Sequence, residues 1–241
     1  MDTLPLPRRV LGSLLDLLFP PRCVACGEPG SLFCARCLAQ VEFLHPPLCV
    51  RCGEPLTPQG RCPRHGRHPH AIDGLRSAAW HAGPLRQAIH RFKYGGVHAL
   101  KGPLSALLAE CWRQGPLPVG LLLPVPLHPQ RVRERGFNQA ALLARQLSHE
   151  IGIPCDERAL RRIRHTPPQV GLGAAERLAN VQGAFSYVGP ALRGQAVCLL
   201  DDICTTGATL DACAVALKEA GAGAVWALTL ARPHWGEEAP R

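Results

Sequence analysis

Aromatic side chains are scarce in this chain: Phe, Trp and Tyr together make 5% of its 241 residues. That scarcity counts against an extensive platform for stacking single-stranded bases, which needs ring after ring along a groove. Acidic residues are also in deficit. There are 18 Asp and Glu against 27 Lys and Arg, a formal charge of +9 with a pI near 9.2. The balance suits a polyanionic partner, nucleic acid or phosphorylated metabolite, over a basic one. The excess is uneven: residues 1–74 carry 8 basic against 6 acidic groups, and residues 75–241 carry 19 against 12. A long apolar run is missing too. The stretch 10–19 contains Asp16, falls well short of the ~20 residues a bilayer requires, and has no small-residue cleavage site after it. The expectation is a cytoplasmic protein without a membrane span. What the chain does have is 46% apolar residues, ample for a buried core in one α/β domain with a small attachment.

Cysteine is the first positive signal, because seven of the twelve fall within residues 23–65, six as CxxC pairs and the seventh, Cys62, with His65 in the partner's place. The pattern repeats. Cys23-Val-Ala-Cys26-Gly-Glu-Pro followed by Cys34-Ala-Arg-Cys37 is echoed by Cys49-Val-Arg-Cys52-Gly-Glu-Pro followed by Cys62-Pro-Arg-His65. A CxxC followed by Gly turns two sulfurs toward one point, and two such pairs, or a pair plus Cys and His, complete the tetrahedral shell that Zn²⁺ prefers. Eight ligands imply two structural zinc ions. Short loops favour consecutive pairing, Cys23 and Cys26 with Cys34 and Cys37, while an interleaved pairing of first and third knuckles stays open. A disulfide framework or a redox CxxC accounts poorly for the repeat and its trailing glycines. His45, His68 and His70 fall outside the pattern. Full Cys/His shells leave no open catalytic position, so this region is structural or partner-binding.

The second signal is AVCLLDDICTTGATL at 196–210. Residues 197–200 read as a strand buried on both faces of a parallel sheet, with Asp201 and Asp202 at its carboxyl end, where open α/β sheets bind ligands. Thr205, Thr206, Gly207, Ala208 and Thr209 then form a small-residue loop running into a helix near 207–220. Its backbone N–H groups and dipole suit a phosphate. Two acids beside a phosphate repel it, but carboxylates accept hydrogen bonds from ribose hydroxyls, so acids plus loop suit a phosphorylated ribose. The alternative is an ordinary strand, turn and helix capped by Thr205 or Thr206.

Between these signals the pattern alternates strand and helix from residue 71 onward, placing a domain boundary near His70. Residues 8–19 predict a short amphipathic helix. Strands are expected over 72–80, 119–127 and 225–230, and helices over 85–92, 100–112, from 138 to about 151, and over 174–181. Lys93 falls in a turn, KYGG, and reads equally as a surface charge. The segment HPQRVRERGFNQA is expected to be a loop whose Arg131, Arg133 and Arg135 suit a pyrophosphate, or else a solvated basic turn. The basic, proline-flanked stretch 160–185, with Arg161, Arg162 and Arg164, is a candidate lid over a phosphate site or a contact for nucleic-acid backbone. Cys111, Cys155, Cys198, Cys204 and Cys213 read as small core fillers, and the tail from 233 as disordered.

The 196–210 stretch resembles the phosphoribosyl pyrophosphate (PRPP) signature of type I phosphoribosyltransferases. Taken with LLDLLFPPRCVACG, FKYGG, PVPLHPQRVRERGFNQA and RHTPPQVGLGAAERLANVQGAF, nearly the whole chain resembles the ComF family of competence-associated proteins. The resemblance implies a type I phosphoribosyltransferase-like parallel sheet flanked by helices over 71–241, and a zinc-binding module over 1–70. It further implies a role in DNA uptake during natural transformation beside a ComF helicase. His65 stands where many relatives carry cysteine, a change that keeps a good zinc ligand.

Several functional readings follow. An enzyme would set Asp201 and Asp202 on the ribose, residues 205–209 on the 5-phosphate, and Mg²⁺ with the arginines on the pyrophosphate, leaving C1 open to a nucleophile. A non-catalytic adaptor would hold single-stranded DNA on the same fold, and a nucleotide-salvage transferase is a third possibility. No nucleobase-specificity motif is legible, so the acceptor is not. Two adjacent acids that repel each other are expected to be dispensable for folding.

Overall fold

The structure is a computed structural model that describes residues 20–64, 71–166 and 174–234. The amphipathic stretch 8–19, His65, His68, His70 and the tail from 235 lie outside the described residues.

Four parallel strands form the central sheet: β1 (Gly74–Trp80), β2 (Leu121–Pro124), β5 (Ala196–Ile203) and β6 (Ala224–Arg232), in the spatial order β1-β6-β5-β2. Two short strands, β3 (Leu160–Arg162) and β4 (Phe185–Tyr187), pair antiparallel beside it. The helices are α1 (Ala35–Leu38), α2 (Gly83–Tyr94), α3 (Lys101–Gln114), α4 (Pro129–Arg135), α5 (Gln139–Ile151), α6 (Ala174–Val181) and α7 (Ala208–Glu219).

Successive strand residues point to opposite faces, so a sheet covered on both sides needs apolar residues without alternation. β5 supplies them. Cys198 and Leu200 enter one core with Leu228 and Leu230 of β6, beneath Leu104 and Leu108 of α3 and Leu143 and Leu147 of α5. Val197 and Leu199 enter the other with Val225 and Ala227, beneath Leu210, Cys213 and Leu217 of α7. This three-layer α/β arrangement, with β5 inside the sheet, is the fold class the sequence predicts. Cys198 and Cys213 are core fillers as expected.

The cysteine segment repeats in backbone as it does in sequence. Cys23 N–H donates to the Glu28 carbonyl (2.8 Å) and Gly27 N–H to that of Cys23 (2.8 Å); Cys49 to Glu54 (2.7 Å) and Gly53 to Cys49 (2.7 Å) copy them. Gly27 and Gly53 both sit at positive φ, 77° and 71°, where a Cβ would be strained. The segment shares its core with the α/β part. Phe33, Cys37 and Val41 pack with Leu85 and Ala88 of α2, and Phe43 bridges antiparallel to Ala79, covering the β1 edge of the sheet.

Three expectations are corrected. The strand expected over 119–127 is shorter, Leu121–Pro124, although Val125 N–H still donates to the Leu200 carbonyl of β5 (2.9 Å) before Pro126, which has no N–H, follows. Lys93 and Tyr94 belong to the last turn of α2, which closes at Gly95. The arginine loop is instead helix α4. Pro129 opens it, the His128 side chain accepts from Gln130 N–H, and Gly136 closes it in the left-handed conformation.

Candidate functional site

The core strand β5 delivers its two acids to the carboxyl edge of the sheet. Asp201 Oδ1 accepts from Asp202 N–H (2.8 Å), and Asp202 Oδ1 from Ile203 N–H (2.9 Å). Each carboxylate is thereby held by the backbone that follows it. Asp202 is 3% exposed, and its Oδ2 is 2.6 Å from Lys93 Nζ. Lys93 is therefore a largely buried ion-pair partner of Asp202 and not a surface charge. Burial, and then the charge of Asp202, push the Asp201 carboxyl pKa well above the usual range, with Lys93 opposing them.

Beyond the acids the chain turns through Cys204 to Gly207, whose φ of 87° turns the chain into α7. Residues Thr205, Thr206, Gly207, Ala208 and Thr209 line one small concavity of about 60 Å³ with Asp201. The signature residues are therefore brought together as predicted. Gly207, not Thr205 or Thr206, is the N-cap, and the Thr206 hydroxyl one residue earlier accepts from Ala208 N–H at 3.3 Å. The concavity suits an anion-sized group more than a whole nucleotide, since drug-sized ligands occupy pockets of ~300 Å³ or more.

A larger cavity of about 340 Å³ adjoins Lys93 and is lined by Tyr94, Gly96, Arg131, Glu134, Arg135 and Phe137. Because α4 is helical, Arg131 and Arg135, four apart, share one face. Arg133, two residues from either, is exposed and does not line this cavity. Arg135 lies over the Tyr94 ring (5.0 Å) and donates to Gln139 Oε1 (2.5 Å). Lys93, Arg131 and Arg135 share its wall with one carboxylate, Glu134, which lies 3.9 Å from Arg131, while Lys93 also pairs with Asp202.

In the predicted lid, Arg162 is half-buried, donates to the Thr166 hydroxyl and lies over the Phe185 ring at 5.4 Å. Burial pulls its pKa down; Asp201 and Arg131 are close enough to act on it in opposite directions. Arg164 braces the Asn180 and Gln182 carbonyls (3.1 and 2.6 Å). Sequence reasoning missed His81, which follows β1 at the same sheet edge. Burial and the charges of Lys93 and Arg86 lower its pKa to about 4, so the imidazole is neutral near pH 7. Only its place after a strand could have found it.

The cysteines gather as Cys23, Cys26, Cys34 and Cys37 in one cluster and Cys49, Cys52 and Cys62 in another, the sulfurs of each within 4.8 Å of one another. Pairing is consecutive, and the interleaved alternative is set aside. Cys26 and Cys34 sulfurs are 3.6 Å apart and those of Cys52 and Cys62 3.5 Å. A tetrahedral Zn–S shell with ~2.3 Å bonds has edges of about 3.8 Å, so both clusters fit zinc. Burial pushes the Cys23 thiol up, but backbone N–H donors from Cys34, Cys26 and Ala25 outweigh it and bring it to about 6. The eighth ligand, His65, lies outside the described residues.

Two zinc-type clusters ahead of a parallel sheet with helices on both faces define a class: an α/β protein with an N-terminal double zinc ribbon. A Double zinc ribbon domain model matches residues 14–65. The chain is 36% identical to Competence protein F of Haemophilus influenzae, over 62% of this chain and 68% of that one. It is 31% identical to DNA utilization protein YhgH of Salmonella typhimurium, over 90% and 99%. With Competence protein ComFC of Bacillus subtilis it shares 33% identity over 61% and 60%. This chain belongs to the ComF family of competence and DNA utilization proteins. Among solved structures it is similar to glutamine PRPP amidotransferase from B. subtilis complexed with ADP and GMP (22% identity, 55% of this chain, 26% of that one, TM-score 0.38). It is also similar to purine phosphoribosyltransferase from Pyrococcus horikoshii (18%, 58% and 90%, TM-score 0.34).

Proposed function

We propose that the protein binds PRPP together with Mg²⁺ at the carboxyl edge of the sheet, and that this site serves DNA uptake. The observation that carries the reading is the sequence of parts along that edge. Two backbone-oriented carboxylates stand between an anion-sized loop and a cavity of three cations. Asp201 and Asp202 would accept from the ribose hydroxyls and residues 205–209 would hold the 5-phosphate. Lys93, Arg131 and Arg135 would hold the pyrophosphate. Mg²⁺ would supply charge neutralisation of the pyrophosphate. In the absence of ligand, Lys93 makes two adjacent acids tolerable, and its place on the cavity wall lets it turn to a phosphate when the acids take a sugar.

The link to DNA uptake rests on the names of the relatives, competence and DNA utilization. A second reading, single-stranded DNA held on the surface, draws on Arg133, Arg158, Arg161 and Arg164, all exposed. A ComF helicase partner and a cytoplasmic location follow from the same family reading; among the described residues no helix is long and apolar enough to cross a membrane. Calorimetry with PRPP and Mg²⁺ tests the proposal. One-to-one binding that weakens at least tenfold in Asp201→Asn is expected, and absence of binding by the parent protein would overturn it.

A further inference from the structure

The loop that the acids lead into is not held by its own domain alone. Arg64, two residues beyond Cys62 in the second zinc ribbon, is 4% exposed. Its backbone N–H donates to Cys62 Sγ (3.3 Å), and its guanidinium Nη2 donates to the Thr206 carbonyl oxygen (3.1 Å). The contact spans 142 residues of sequence and ends inside the phosphate loop.

That carbonyl is one the helix cannot orient. The first intrahelical bond of α7 runs from Asp211 N–H to the Gly207 carbonyl, so Thr206 lies outside the ladder. The peptide between Thr206 and Gly207 is planar and trans, so its C=O and N–H point in opposite directions. Holding the carbonyl toward the ribbon therefore turns the Gly207 N–H away from it, and Gly207 lines the concavity. A charge-assisted bond from a rigid guanidinium fixes that peptide plane more tightly than water would.

The ribbon that carries Arg64 is itself fixed to the sheet. Arg232, at the end of β6 and 1% exposed, donates to the Cys52 carbonyl and pairs with Glu54. Gly53 packs so closely that an added Cβ would come within 2.9 Å of the Leu75 carbonyl oxygen. The anchor is therefore stiff at both ends, sheet to ribbon and ribbon to loop.

We infer that Arg64 is a positioning residue for the phosphate loop, and that the second zinc ribbon sets the loop's conformation through it. The statement about loop order stands on geometry alone; its consequence for PRPP rests on the proposed function.

The test uses the full-length protein with Arg64→Ala and Arg64→Lys. Hydrogen exchange is measured without ligand, alongside zinc content, thermal melting and PRPP calorimetry. Arg64→Ala should speed exchange within 204–210 about tenfold. Exchange in β5 and β6 and the zinc content should stay as in the parent. PRPP affinity should fall about tenfold, and Arg64→Lys, which keeps charge but loses the fork, should recover part of both. Cys62→Ser, which loosens the ribbon while leaving Arg64 in place, should speed exchange in the same segment. Unchanged exchange at 204–210 in Arg64→Ala and Cys62→Ser would overturn the inference whatever PRPP does. Faster exchange in a protein whose parent form does not bind PRPP would uphold the positioning role and remove the ligand assignment. Should Arg64→Ala fail to fold, Arg64→Lys and Cys62→Ser decide by the same exchange readout.

Discussion

The two zinc ribbons begin from nearly the same words, CVACGEP and CVRCGEP, and fold into the same turn, yet they are joined to the rest of the molecule by opposite chemistry. The first is an apolar plug: Cys23, Phe33, Cys37 and Val41 enter the core beneath α2. The second contributes no described residue between 49 and 64 to either core and is held by buried polar groups, Glu54 on Arg232 and Arg64 on Thr206. Apolar contacts stabilise without fixing direction. Hydrogen-bonded charges fix direction and are costly to leave unpaired. Both attachments stabilise, but only the second also sets loop geometry.

The largest expected effects break each attachment in turn. Glu54→Ala should cost about 3–5 kcal/mol, because it strands a buried guanidinium. Adding Arg232→Met should recover most of that loss. Phe33→Ala should cost a similar ~3–5 kcal/mol through a cavity, and Arg232→Met should recover none of it. Chemical denaturation of the four variants checks both statements, and rescue of Phe33→Ala would erase the distinction.

A step smaller, the two acids should part company. The expectation that both are dispensable for folding is revised by the Lys93 pair. Asp202→Asn should destabilise by about 1–3 kcal/mol, since Lys93 keeps some access to water. Asp201→Asn should melt at or above the parent, because it removes a half-buried carboxylate whose charge is opposed by desolvation and by Asp202. Thermal melting separates them, and equal losses would mean that Lys93 serves both acids alike.

Zinc content and ligand affinity sharpen the comparison further. Cys26→Ser and Cys62→Ser should each lower zinc from about two ions to about one, and only Cys62→Ser should weaken PRPP binding, about tenfold. Metal analysis with calorimetry tells them apart, and equal loss of affinity would show that the first ribbon also shapes the site.

The pH dependence is smaller again. His81 has a folded pKa of about 4 against an ordinary 6.5, so the unfolded chain takes up its proton first as pH falls. Its contribution is intact above pH 6.5 and is lost on descending toward pH 4, by about 1–2 kcal/mol after solvent screening. Asp201, with its raised pKa, acts in the other direction and favours the fold as it protonates. The difference between Asp201→Asn and Asp201→Asn with His81→Gln across that range isolates the histidine, and identical profiles would contradict it. The smallest effect is Arg133→Ala, which should leave PRPP affinity within about twofold while weakening single-stranded DNA, because the side chain is off the cavity wall.

Local chemistry was legible in the sequence wherever it repeated or ran against expectation. The CxxCG pairs, Asp-Asp after an apolar run, and the small-residue loop were placed correctly because each is contiguous. Helix α4 was missed because the alternation of Arg131, Arg133 and Arg135 suggests exposure, while its start and stop depend on His128, Pro129 and Gly136. Lys93, Arg64 and Arg232 could not be assigned, since each acquires its role from a partner far along the chain. No period in the sequence records that Arg64 meets Thr206 or that Lys93 meets Asp202.

The most direct test of the account is to map where PRPP with Mg²⁺ protects the full-length protein from hydrogen exchange. Slowing is expected in 201–210, at 93–96 and in 131–135, with the first ribbon at 23–41 unchanged. Protection confined to the ribbons or to the exposed arginines at 158–164, or none at all, would contradict it.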